Sequence, residues 1–144
     1  MKPFDVYLAA PYSDPDPAVV EFRVHEINLA AGWLMRQGMR VFSPISMSHP
    51  IAMTSSLPTD WAFWKAFDEA IIPACERMLI LGIAGFSQSV GVKAEAFIAW
   101  SNIPIRMLIP FEGGYIEQEP SQDFMRLVRD AEYRHLVNAK EDGE

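Results

Sequence analysis

The chain has 144 residues, half of them hydrophobic, and a formal net charge of -7, so it is long enough for one domain with a sizeable core. An acidic chain is poorly suited to nucleic acid or an anionic membrane surface, and a small molecule is the expected partner. The single cysteine excludes an intrachain disulfide and a cysteine-based metal cluster, and there is neither a signal-peptide pattern nor an apolar run of about 18 residues, so we expect a cytoplasmic protein without a membrane segment.

The first half of the chain predicts two strands and one long helix. The segment "FDVYLAA" is short, rich in β-forming residues and closed by Pro11, as is typical of a buried strand. Residues 18–37 carry apolar side chains at a spacing near 3.6 and precede Gly38, which predicts a helix. "MRVFSPI" predicts a second strand that ends at Pro44, and "SMSHPIAMTSSLPTDW" predicts a long polar loop. A loop of this length is usually functional or mobile.

The second half alternates helices and strands. "WAFWKAFDEAIIPACE" predicts a helix that bends or restarts at Pro73, "RMLILGIAG" a third strand, "VKAEAFIAWSN" a helix, and "IPIRMLIPF" a fourth strand. A final amphipathic helix is predicted over about 121–140. This order predicts one domain over residues 1–144, with its core at about 4–110. The expected fold is an α/β Rossmann-like or flavodoxin-like sandwich with a largely parallel sheet of four or five strands flanked by helices.

Polar residues follow each of the first three predicted strands. Ligands of open parallel sheets bind beyond the carboxyl ends of the strands, so we expect these loops to face one crevice. The third loop leads directly into a helix, whose first N–H groups favour an anion such as phosphate. Neither the GxGxxG fingerprint nor a P-loop is present, which disfavours a dehydrogenase or an NTPase. The candidate ligand-binding residues of the three loops are Pro11, Tyr12, Ser13, Ser43, His49, Ser87, Ser89 and Gly91.

Four segments resemble a known superfamily. "VYLAAPYSDPDP", "GWLMRQGMRVFSPISMSHPI", "LPTDWAFWKAFDEAI" and "SVGVKAE" are similar to a small, mostly uncharacterised bacterial and phage branch of the nucleoside 2-deoxyribosyltransferase-like superfamily, over about residues 4–110. "SVGVKAE" also resembles the Ser-x-Gly-x-x-x-Glu element of the superfamily's N-glycosidases for nucleoside 5′-monophosphates. The resemblance implies that Glu95 is the nucleophile, that Asp68 orients the substrate and its leaving base, and that Tyr7 contacts the nucleophile.

The implied chemistry suits a carboxylate. Breaking the bond between an anomeric carbon and a base nitrogen passes through an oxocarbenium-like transition state, which a carboxylate beneath the ring can stabilise or attack. Glu95 follows Ser89 by about one to two helical turns, within reach of one bound nucleotide. The alternatives are that Glu95 is an exposed glutamate near a helix start, that Asp68 is a solvated acid paired with a neighbour such as Lys65, and that Tyr7 is simply a buried strand tyrosine.

Three further observations bear on the substrate. Ser89 stands where the transferases for free nucleosides carry an aspartate, so the resemblance implies a 5′-phosphorylated substrate. Arg23 is the nearest basic candidate for holding that phosphate. His49 could contact phosphate or protonate a leaving base, although a lone loop histidine is more often solvated. No cofactor and no metal are expected, because the histidines are isolated and no HExxH motif or cysteine pair is present.

The region around residues 60–67 permits several interpretations. Asp60 is a natural helix N-cap. Trp61, Phe63, Trp64 and Phe67 are dense enough to stack a base, but at helical spacing they are more often core or subunit interface. Members of the superfamily commonly assemble, so we expect a homodimer or higher oligomer, for which this helix and the carboxyl-terminal helix with Phe124, Leu127 and Val128 offer apolar faces. The leading interpretation is an N-glycosidase or deoxyribosyltransferase for a nucleoside or nucleotide. The alternatives are a non-catalytic nucleotide-binding or nucleotide-sensing module and a protein-interaction domain.

Overall fold

A five-stranded sheet with helices on both faces forms the structure, a computed structural model that describes residues 1–130. The α/β sandwich predicted from the sequence is confirmed. In chain order the elements are β1 (Phe4–Ala9), α1 (Pro17–Arg36), β2 (Val41–Phe42), α2 (Pro44–Ser55), α3 (Trp61–Ile71), β3 (Cys75–Leu81), α4 (Val90–Trp100), β4 (Ile105–Phe111), β5 (Gly114–Gln118) and α5 (Gln122–Val128). The strand order is β2-β1-β3-β4-β5, with β5 antiparallel to β4 and the other pairs parallel.

Side chains of β1 alternate between the two faces of the sheet and so enter two separate cores. Val6 and Leu8 pack in the cluster that contains the buried face of α1. Tyr7 and Ala9 point to the opposite face, where buried residues of α4 and α5 complete a second cluster. This period of two is the ordinary geometry of a strand. It directs the only polar side chain of this four-residue stretch toward α4.

Three helices begin at residues that cap them. Asp16 accepts a hydrogen bond from the backbone N–H of Ala18 at 2.9 Å, and Pro17 follows at the first helical position of α1. Ser89 and Ser121 accept equivalent bonds at the starts of α4 and α5. Each cap satisfies a backbone donor that the helix itself leaves unpaired. The caps explain why the predicted starts of these helices lie within a few residues of the observed ones.

The predicted loop over residues 46–61 is wrong in its first part. Residues 44–55 form α2, and β2 is correspondingly short. Pro44 occupies the first helical turn, where a missing N–H costs nothing, and only Pro50 removes a donor from the interior. His49 and Ala52 are buried, so packing against the rest of the protein stabilises a helix that the prolines alone would argue against.

The carboxyl-terminal part of the chain differs from the prediction in two respects. A tight turn with positive φ at Glu112 and Gly113 leads from β4 into β5. No segment of the sequence was predicted to form this fifth strand. The helix predicted over 121–140 ends at Val128, since Arg129 and Asp130 are no longer helical, and its remainder lies outside the described residues. Across residues 1–130, no helix is long and apolar enough to cross a membrane.

Candidate active site

A ligand-sized cavity lies beyond the carboxyl ends of β1 and β3, where successive strands are added on opposite sides of β1. From β1 the chain moves to β2 on one side and then to β3 on the other, so the loops after β1 and β3 separate and leave a crevice, as in other open parallel sheets. The cavity measures about 590 Å³. Its walls come from the loop after β1, from α2, from α3 with the residues before it, and from the first turns of α4.

Three buried side chains meet at this cavity. Glu95, on the second turn of α4, and Asp68, on α3, are each 6% exposed and line the cavity. Tyr7 is fully buried on β1, and its hydroxyl donates a hydrogen bond to Glu95 Oε2. The same hydroxyl lies close enough to Asp68 to influence the pKa of that carboxyl. The structure therefore brings together the three residues for which the resemblance implies catalytic roles, and it excludes the exposed or solvated alternatives for both carboxyls.

Burial dominates the protonation of this cluster. Burial raises the pKa of Glu95 well above its usual range and that of Asp68 to about 6. The charge of Asp68 raises the pKa of Glu95 further, while the Tyr7 hydroxyl, which donates its hydrogen bond to Glu95, lowers the pKa of both carboxyls. Burial, together with the two carboxylates, also raises the pKa of Tyr7, which therefore stays a proton donor. Over the pH range between the two pKa values the pair retains one proton.

The start of α4 forms one end of the cavity. Ser89 and Gly91 line it, and Ser89 Oγ accepts a hydrogen bond from the Val92 N–H at 3.1 Å. A Cβ atom added to Gly91 would meet only Ser89 Oγ, at an ordinary 3.8 Å. The packing of the protein itself therefore does not require glycine at position 91. The side chain that is missing there leaves the helix backbone accessible from the cavity.

Five of the predicted ligand-binding residues do not line the cavity. Tyr12, Ser13, Ser89 and Gly91 do. Outside it are Pro11, Arg23, Ser43, His49 and Ser87. Position after a strand correctly predicts the loops that meet there but does not predict the direction of each side chain. His49 lies behind Tyr12 on α2, and Ser43 Oγ is paired with Ser46 Oγ at 2.7 Å.

Arg23 connects loops instead of facing a ligand. Its guanidinium donates to the Ser13 carbonyl at 2.8 Å, lies 4.0 Å from the Asp14 carboxylate, and contacts Gly85, whose φ is +96°. The loop after β1 is thereby tied to the loop after β3. Because these contacts occupy the guanidinium, the predicted contact between Arg23 and a phosphate is not supported by its position.

Several cavity residues were only partly anticipated. The aromatic side chains of Trp61, Trp64 and Phe67 line the cavity, so the stacking interpretation agrees with their position. Asp60 occupies the N-cap position of α3, yet its side chain makes no capping hydrogen bond and lines the cavity instead. The apolar contribution of α2, including Ile45 and Met47, was missed because that segment was predicted to be a loop.

Among residues 1–130, no group of three or more His, Cys, Asp or Glu side chains could hold a metal ion.

A comparison with curated proteins finds no match. The model of a family described as "Domain of unknown function" matches residues 4–105, which include Tyr7, Asp68 and Glu95. Because this match covers more than half of the chain, the protein belongs to that domain-of-unknown-function family, DUF1937.

Proposed function

We propose that the protein cleaves or transfers the N-glycosidic bond of a nucleoside or nucleoside 5′-monophosphate, with Glu95 as the nucleophile. The observation that carries this proposal is the contact between the Tyr7 hydroxyl and the Glu95 carboxyl at the wall of a ligand-sized cavity, with Asp68 beside them. The resemblance to the nucleoside 2-deoxyribosyltransferase-like superfamily supports the same assignment, because it implies roles for these three residues.

The proposed reaction has two steps. In the reacting form the proton that the two carboxyls share lies on Asp68 and Glu95 is ionised. The Glu95 carboxylate attacks the anomeric carbon, the carbon–nitrogen bond breaks, and the base leaves with the bonding electrons and takes that proton from Asp68. Water, or a second base in a transfer reaction, then gives a proton to the Asp68 carboxylate and attacks the same carbon, so that the Glu95 carboxylate is displaced and Asp68 is protonated again. Tyr7 positions that carboxylate and disperses its charge through the hydrogen bond that it donates.

The cavity suits a nucleoside in size and character. A volume of about 590 Å³ lies within the range of small-molecule sites, and most of the lining is apolar, including three aromatic side chains from α3. Stacking of a base on an aromatic ring is worth about 1–3 kcal/mol. The three aromatic side chains therefore offer a place for the base, and Glu95 lines the same cavity from α4.

The charges around the cavity favour an uncharged nucleoside over its monophosphate. Asp60, Asp68 and Glu95 line the cavity, and among its described lining residues there is no lysine, arginine or histidine. A phosphate would have to rely on the Ser89 hydroxyl and the backbone N–H groups that begin α4. We therefore expect faster turnover of free nucleosides, in contrast to the phosphorylated substrate that Ser89 alone implies.

One assay tests the reaction and its substrate class together. The protein is incubated with the common 2′-deoxynucleosides and their 5′-monophosphates, and released base and sugar are separated by chromatography. Release of base is the expected result, and a second free base in the mixture distinguishes transfer from hydrolysis. A thermal-shift response to these compounds without base release would instead support the non-catalytic binding module and contradict the proposed reaction.

Two glycine substitutions separate ligand approach from folding. Gly91→Ala is expected to leave the melting temperature nearly unchanged but to lower turnover, because its new methyl group meets no other part of the protein at close range. Gly85→Ala is expected to destabilise the fold by about 1–2 kcal/mol, because φ is positive there and the methyl group would collide with Arg23. Thermal unfolding and base release are measured for both. Full turnover by Gly91→Ala would show that no substrate atom approaches this backbone.

We also propose that the protein forms a homodimer or higher oligomer through α2 and α3. Phe63, Phe67 and Met53 are each about half exposed, an apolar surface that a small monomer does not usually leave in water. In α5, Phe124 and Val128 pack in the core, whereas Leu127 is about half exposed. Light scattering is expected to give at least twice the chain mass, and Phe63→Ser with Phe67→Ser should reduce it. A monomer at micromolar concentration would contradict the proposal.

A further inference from the structure

A chain of three hydrogen-bonded side chains leads from the cavity wall to the protein surface. The Tyr12 hydroxyl lies 2.7 Å from His49 Nδ1, and His49 Nε2 lies 3.0 Å from Glu21 Oε2. Tyr12 lines the cavity, His49 is buried behind it, and the Glu21 side chain is 68% exposed. The Tyr12 and His49 rings also pack edge to face, with centroids 5.5 Å apart.

The order of donors along this chain follows from the chemistry of its ends. An ionised carboxylate only accepts hydrogen bonds, so Glu21 requires a proton on His49 Nε2. In a neutral imidazole ring the other nitrogen is then unprotonated and accepts. With the ring in this neutral form, the Tyr12 hydroxyl donates its proton to His49 Nδ1. The Tyr12 oxygen then has no proton left to donate. Its lone pairs can accept a hydrogen bond from a ligand.

We propose that Glu21 and His49 are positioning residues that fix Tyr12 as a hydrogen-bond acceptor for the ligand. Tyr12 would then select a substrate that presents a donor, either a sugar hydroxyl or an N–H of the base, and disfavour one that presents only acceptors there. This inference rests on the proposed function, since it names a recognition contact of the same cavity. It also gives a role to Glu21, an exposed residue outside the cavity.

The first test observes the tautomer of His49 without any ligand. Protein labelled with nitrogen-15 at histidine is examined by NMR at neutral pH, and the His49 signal is assigned with a His49→Asn variant. The expected ring carries its proton on Nε2 alone. Glu21→Gln, whose amide oxygen still accepts that proton, should preserve this state, whereas Glu21→Leu should populate the other tautomer. A proton on Nδ1 in the unmodified protein would overturn the proposal.

The second test measures recognition directly. Binding of 2′-deoxyadenosine and of its analogues lacking the 3′-hydroxyl, the 5′-hydroxyl or the 6-amino group is measured by calorimetry on the Glu95→Gln protein, with and without Tyr12→Phe. One analogue is expected to bind about threefold to tenfold more weakly than 2′-deoxyadenosine when Tyr12 is present and equally well when it is phenylalanine. The analogue affected identifies whether the donor belongs to the sugar or to the base.

The controls keep the two proposals distinguishable. Tyr115→Phe removes a hydroxyl from β5, where the ring packs on Trp33 and does not line the cavity, and should alter none of these affinities. Glu21→Leu tests the chain without changing any cavity residue and should reduce the same selectivity, with rescue by Glu21→Gln. Equal losses with and without the Tyr12 hydroxyl would refute only the recognition contact. Failure of every probe to bind would refute the proposed function as well.

Discussion

Glu95→Gln is expected to lower base release by on the order of a thousandfold or more, because an amide cannot attack the anomeric carbon. The substitution keeps the size of the side chain, and the amide oxygen still accepts the hydrogen bond from Tyr7. It also removes a carboxyl group whose ionisation burial opposes. The folded structure should therefore persist with equal or greater stability, and the loss should appear in turnover alone. Steady-state kinetics and thermal unfolding measure the two effects.

The matched control for this prediction is Glu76→Gln, which makes the same chemical change at an exposed position of β3. This substitution should leave turnover within about twofold of the original protein, because the Glu76 side chain is exposed and does not line the cavity. A folded Glu95→Gln protein that retains turnover would refute the nucleophile assignment. Equal losses in both variants would point to a general effect of charge instead of chemistry at Glu95.

Local patterns predicted most of the fold because the elements carry their own signals. The apolar spacing in α1 and the β-forming runs of β1 and β3 are readable over short windows. The sequence pattern failed at α2 for the opposite reason. Prolines and serines are typical of loops, and the burial of His49 and Ala52 that stabilises this helix depends on contacts with distant segments.

The site was harder to predict than the fold. The contact between Tyr7 and Glu95 joins residues 88 positions apart, and no periodicity or spacing within the chain encodes it. Strand alternation places Tyr7 on the face opposite Val6 and Leu8, but only the packed sheet shows that α4 covers that face. The family resemblance supplied the pairing. Glu21 carried no sequence signal at all, because its role depends on the unpredicted position of His49 in α2.

Asp68→Asn is expected to stabilise the protein at neutral and alkaline pH. The pKa of Asp68 is raised in the folded state to about 6, from an ordinary value of 3.8, chiefly by burial. At about 1.4 kcal/mol for each pKa unit, ionising this group in the folded protein costs about 3 kcal/mol. The asparagine carries no charge, avoids this cost, and can still donate a hydrogen bond to the Tyr7 oxygen as a protonated aspartic acid would.

The pH dependence of this gain fixes its cause. Because the folded pKa lies above the unfolded one, the cost is absent below about pH 4, develops as the pH rises toward 6, and is constant above that range. Urea unfolding of both proteins should therefore give similar stabilities at pH 4 and a difference of up to about 3 kcal/mol at pH 8. Asp123→Asn, at a side chain that is 89% exposed, should change stability by well under 1 kcal/mol throughout. A difference that does not vary with pH would show that ionisation of Asp68 does not destabilise the folded state. The expected difference, accompanied by loss of base release, would show that this carboxyl is retained for the reaction at the expense of stability.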